Sequence, residues 1–94
     1  MRRLRAARPS LERATRRIGA SNLRVFGSVA RGDDRPDSDV DLLVDFDVHT
    51  QGALPLIRLR REFSDLLGEQ VDLAAVDLLL PEVAARALTE AVPL

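Results

Sequence analysis

Asp39 and Asp41 stand two residues apart in Ser38-Asp39-Val40-Asp41-Leu42, inside a run that otherwise has the makings of a buried strand. Side chains alternate along a strand, so both carboxylates project to one face with Cα atoms about 6.5 to 7 Å apart, while Val40, Leu42, Val44 and Phe46 project to the other. Two like charges about 4 Å apart repel by about 4 kcal/mol at an effective dielectric of 20. A small domain holds together by only about 5 to 10 kcal/mol, so such a cluster calls for a counterion. Oxygen ligands with no Cys or His beside them suit Mg²⁺, which takes one or two protein carboxylates, waters and phosphate oxygens. Asp72, in Val71-Asp72-Leu73, is the carboxylate of the next strand-like run and joins the pair if that run lies beside the first. Asp77, in a second Val-Asp-Leu, is its rival.

A phosphate-bearing partner has a place upstream. Gly27 ends a short apolar run and lets the backbone approach a ligand closely, and the amides of the turn that follows, with the Ser28 hydroxyl, can hold phosphate oxygens. Arg31 either adds charge there or bridges to Asp33, Asp34 or Asp37. Ser38 either braces the metal loop or serves as ordinary turn chemistry. Asp45 and Asp47 read as solvated strand-end charges, and His49, the one histidine, as an inert loop residue.

These groups need a scaffold. Ser10 as N-cap, Leu11, Ala14 and Ile18 at helical spacing, and Gly19 as a stop predict a helix over 11–18. Leu23 to Phe26 reads as a strand, Ser28 to Arg31 as a turn or a single helical turn, 32–38 as a loop, and Asp39 to Phe46 as the second strand. Residues 47–52 read as a loop. Leu56, Leu59, Phe63 and Leu66 predict a helix over about 53–67, closed by Gly68. Val71 to Ala75 is a third strand, and Pro81 opens a last helix over 81–92. The order predicts an α/β (α+β) layer fold, a small mixed sheet of about three to four strands flanked by helices. All 94 residues are expected in one domain: a basic N-terminal arm and helix over 1–18, a core bearing the motifs over 20–77, and the C-terminal helix.

Composition narrows the function classes. With 46% hydrophobic and 31% charged residues the chain is ordinary globular material, and no apolar run approaches the roughly 20 residues needed to span a bilayer. The absence of cysteine excludes disulfides and thiolate metal sites. With no secretory leader legible, a cytoplasmic address is expected and no membrane partner. Charge is split: residues 1–32 hold nine Arg against one Glu, and residues 33–94 five Arg against fourteen acids. The basic start reads as a solvated helix face; the rival reading, an arginine arm on nucleic acid, is weakened by three Phe and no Tyr or Trp, too few for base stacking. Direct nucleic-acid binding is therefore not expected.

Gly27-Ser28-Val29-Ala30-Arg31-Gly32 followed by Ser38-Asp39-Val40-Asp41-Leu42 resembles the GSxxRG…SDxDL motif of the DNA polymerase β-like nucleotidyltransferases. More narrowly it resembles the minimal nucleotidyltransferases, the MNT partners of HEPN-domain toxins. The resemblance covers 27–42 closely and about 20–77 more loosely. It implies a nucleotidyltransferase fold in which Asp39 and Asp41 bind two Mg²⁺ and Asp72 is the third carboxylate. It also implies that Gly27 and Ser28, with Arg31 and Ser38 beside them, hold the triphosphate of ATP. The implied function is an antitoxin that transfers AMP from ATP to a hydroxyl, a tyrosine in the family, of a HEPN-domain toxin. At this length no further domain is expected to shape an acceptor pocket, so the acceptor comes on another molecule. The alternative is a catalytically weak or inactive nucleotide-binding module that silences its partner by steric cover.

Overall fold

The first helix begins far earlier than its sequence signals. In the computed structural model, which describes residues 2–32 and 39–94 apart from the side chains of Arg2 and Ser28, α1 spans Arg2–Arg17 and runs straight through Pro9. Ser10 is thus interior, not a cap. A proline inside a helix costs about 3 kcal/mol, largely through a lost hydrogen bond and a clash with the carbonyl four residues back. Here Pro9 and Arg5 are both exposed, so that carbonyl turns to water. Continuing the helix buries Leu4, 3% exposed, on the stripe that includes Leu11 and Ala14. Burying a leucine contributes about 1.5 to 3 kcal/mol, comparable to the proline penalty. The N-terminal segment expected as an arm is therefore a core element.

Strand β1 (Ser21–Phe26) follows, then α2 (Gly27–Arg31), a single helical turn, then β2 (Val40–Asp45). The stretch expected as a loop after β2 contains the short helix α3 (Val48–Gln51), capped by Asp47, whose carboxylate accepts the Thr50 N–H at 3.1 Å. Asp47 is thus a cap and not a free strand-end charge, and hydrogen bonding from the Thr50 side chain first, then from its N–H, holds the carboxyl below its ordinary value. His49 stands in α3, exposed. Helix α4 (Leu54–Leu67) ends at Gly68, which donates its N–H to the Ser64 carbonyl at 2.8 Å and turns the chain out of the helix with a left-handed φ of 65°. Strand β3 (Val71–Ala75), a 3₁₀ turn (Val76–Leu78), α5 (Pro81–Glu90) and the short strand β4 (Val92–Pro93) complete the chain. β4 had no signal: two residues carry no alternation.

The sheet order is β3-β2-β1-β4, with β2 parallel to β3 and β1 antiparallel to both β2 and β4. Parallel neighbours require a crossover, and α4 supplies it. Val40, Leu42 and Val44 enter one core with Leu11 and Ala14 of α1 and with Leu56, Leu59 and Phe63 of α4. Alternation then sends Asp41, Leu43 and Asp45 to the opposite face. On that face Leu43 is fully buried, and α5 packs against α2 and β1.

Candidate active site

Pairing in the sheet assembles the carboxylates. Asp41 lies opposite Phe26 of β1 on one side and Asp72 of β3 on the other. Residues in register on neighbouring strands share a face and sit about 4.8 Å apart. Asp41 and Asp72 thus stand side by side. Asp39, one step before β2 begins, belongs to the same face two residues earlier. Asp39 and Asp72 are exposed and Asp41 is half-buried. The Asp41 carboxyl is pushed above its ordinary value by burial first and then by the negative charges of Asp72 and Asp39, with Arg31 pulling the other way. Asp77 lies in the 3₁₀ turn beyond the other end of β3, out of register with Asp41.

Gly27 meets this cluster. It follows Phe26, which pairs with Asp41, and it has φ of 75°. A methyl group added at Gly27 would collide with Asp41 Oδ2 and lie 3.2 Å from its Cγ and 3.3 Å from its Cβ. The bare glycine backbone is therefore what lets the carboxylate lie against the start of α2. The first amides of a helix have no partner within it, and α2 begins at this point with Gly27 and Ser28. Arg31 closes α2 and comes within 3.5 Å of Glu90 on α5. Asp33, Asp34, Asp37 and Ser38 lie outside the described residues.

Three partners around the site, Arg24, Asn22 and Glu90, were not anticipated from the sequence. Arg24, directly opposite Leu43 and so on the acidic face, donates to Asp45 at 2.8 Å, and Asn22 donates to the other oxygen of Asp45 at 2.6 Å. Asp45 is an ion-paired brace between β1 and β2, not the solvated charge expected. The signal available was alternation: in Asn22-Leu23-Arg24-Val25-Phe26 the apolar Leu23 and Val25 turn inward, which sends Arg24 to the face of Asp41. Glu90 had none, because its meeting with Arg31 depends on how α5 is laid.

Among the described residues, no three Asp, Glu or His groups are drawn into a closed cage for an ion. Mg²⁺ uses few protein carboxylates and completes its shell with water and phosphate. The donor set is all hard oxygen, and the repulsion from Asp72 and Asp39, which adds to burial in raising the Asp41 pKa, is what a divalent ion would relieve.

A mixed sheet whose β1 ends in a glycine turn beside paired strand carboxylates is the arrangement of an enzyme of nucleotidyl transfer. Residues 8–92 match the nucleotidyltransferase domain family, and the chain belongs to it. Protein adenylyltransferase MntA of Thermococcus cleftensis is 41% identical over 81% of this chain and 76% of its own. A Methanocaldococcus jannaschii protein assigned as a protein adenylyltransferase, MJ0435, is 36% identical over 79% of this chain and 78% of its own. A solved structure described as a minimal nucleotidyltransferase shares 44% identity over 97% of this chain and 92% of that chain, with a TM-score of 0.86. A toxin–antitoxin structure with AMP-PNP shares the fold at 18% identity, over 86% of this chain and 66% of that one, with a TM-score of 0.70. Among the described residues no helix is long and apolar enough to cross a membrane.

Proposed function

We propose that this nucleotidyltransferase is a protein adenylyltransferase that moves AMP from ATP to a hydroxyl of a HEPN-domain toxin, acting as its antitoxin. The observation that carries the reading is the register of Asp41 with Asp72 beside the Gly27 turn. The names of the relatives support a protein acceptor. Asp39 and Asp41, with Asp72, hold Mg²⁺; Gly27 and Ser28 hold the triphosphate, with Arg31 and Ser38 beside them.

The acceptor hydroxyl attacks the α-phosphorus of ATP. A new P–O bond forms, the bond from that phosphorus to the oxygen bridging to the β-phosphate breaks, and pyrophosphate leaves with its electron pair. Bound Mg²⁺, as a pair of ions, would supply Lewis-acid neutralisation of the charge that grows on both oxygens. Asp72 accepts the proton of the attacking hydroxyl, a role supported by its register with Asp41 and its exposure to solvent. Arg31, at the far end of α2, lends positive charge to the phosphate side, held by Glu90.

The test is transfer of label from α-³²P-ATP to the co-purified HEPN-domain partner. We expect transfer by wild type and by Asp77→Asn, none by Asp39→Ala, and at least a hundredfold loss in Asp72→Asn, within the range removal of a general base produces. If Asp39→Ala still neutralises the toxin fully and wild type transfers no label, the protein acts by steric cover and the proposal is wrong.

A further inference from the structure

Helix α4 divides its charges into two sets. Toward α1, Arg17 donates to Glu62 at 2.8 Å, and Arg3 donates to Glu69, just past the helix, at 2.9 Å. Away from α1, a groove of about 350 Å³ lies between α4 and the start of β3, lined by Arg58, Arg60 and Arg61 with Ile57, Gln70 and Val71. None of these three arginines has an ion-pair partner among the described residues, although Asp65 stands four residues after Arg61. Ile57 leaves 54% of its surface open, and Leu54, one turn earlier, 55%. The groove therefore offers unneutralised guanidinium groups beside exposed aliphatic surface.

Its floor leads to the catalytic cluster. The Gln70 carbonyl accepts the Val40 N–H at 3.0 Å, Val71 pairs with Val40, and the next pair along is Asp72 with Asp41. Val71 faces the core side and Asp72 the acidic face, so the groove and the site lie on either side of the first residues of β3. In the described sheet β3 is an edge strand. A chain seated in the groove passes round that edge within about three extended residues, at about 3.3 Å each.

We propose that this groove docks an acidic, extended segment of the acceptor protein and so delivers a neighbouring hydroxyl to the side of Asp72. This rests on the acceptor being a protein. Guanidinium groups bind carboxylates through paired, charge-assisted hydrogen bonds, and the aliphatic surface of Ile57 and Leu54 suits side chains interleaved with the acids. A single-stranded nucleic acid would want aromatic stacking, but no aromatic residue lines the groove and Phe46 and Phe63 are buried.

The experiment uses the full chain and three fluorescein-labelled probes: a Glu-Ala repeat peptide, a Lys-Ala repeat peptide and a twelve-nucleotide oligouridine, followed by anisotropy at low and high salt. The variant Arg58→Glu/Arg60→Glu/Arg61→Glu is compared with Arg5→Glu/Arg13→Glu/Arg86→Glu, which changes net charge equally on exposed surface elsewhere. Thermal melts check that both fold. We expect the acidic peptide to bind wild type and the control variant, and to bind the groove variant at least about tenfold more weakly, a change of about 1.4 kcal/mol. Equal weakening in both variants, no binding of the acidic peptide, or tighter binding of oligouridine through the same arginines would each overturn the proposal. Asp39→Ala should keep peptide binding. Groove binding that persists while wild type transfers no label counts against adenylyl transfer and not against docking.

Discussion

Replacing Gly27 with alanine tests the central geometry, because it acts in two ways that can be separated. The first is backbone strain: Gly27 has φ of 75°, and placing a side chain in that region costs about 1 to 2 kcal/mol. For a domain of this size each kcal/mol lowers Tm by about 4 to 8 °C, so the melt should fall by roughly 5 to 15 °C. The second is steric. The new methyl group overlaps Asp41 Oδ2 and presses on its Cγ and Cβ at 3.2 and 3.3 Å, so the carboxylate must swing away by about 1 Å, and a displacement of that size can lower a rate about a hundredfold. Gly68→Ala is the control, with φ of 65° and nothing within 4 Å of the added carbon. Both variants should lose comparable stability, yet only Gly27→Ala should lose label transfer, assayed well below both melting points. Wild-type transfer by Gly27→Ala, or equal losses in the two variants, would refute the claim that glycine is there to admit the Asp41 carboxylate.

The acidic cluster also sets a pH dependence. The folded state raises the Asp41 pKa above 3.8, so stability from this group is present below the unfolded value and is lost as pH rises through the folded one. Asp41→Asn without metal should therefore melt higher than wild type at neutral pH, with the gap closing below about pH 4. Added Mg²⁺ should raise the wild-type Tm and leave Asp41→Asn nearly unmoved; a wild-type Tm indifferent to Mg²⁺ would contradict the metal site. At the other end of the chain, Leu4→Ala should cost about 2 kcal/mol in chemical denaturation, near the low end for a buried leucine. An N-terminal arm free of the core would show no change.

What could be read from sequence was local. The alternation of Val40, Leu42 and Val44 with Asp39 and Asp41 follows from a two-residue period, and Gly27 and Gly68 stand where the chain must turn. Pro9 and a dense run of arginine hid the first two turns of α1, since propensity weighs a proline heavily and Leu4 counts only once it has a core to enter. Asp47 hid as a charge because its partner, the Thr50 amide, exists only if α3 forms.

The sequence by itself determined the chemistry on offer: two carboxylates on one strand face, a glycine turn before them, and a third acid in a later strand. Those facts depend on neighbours along the chain and on how a strand alternates. The parallel register of β2 with β3 decided that Asp72 stands at the side of Asp41 and that Asp77 does not. The laying of α5 brought Glu90 to Arg31, and the antiparallel pairing of β1 with β2 brought Arg24 to Asp45. These are contacts between residues far apart in the chain, fixed by which faces the apolar core can bury together, and no spacing within a single segment encodes them.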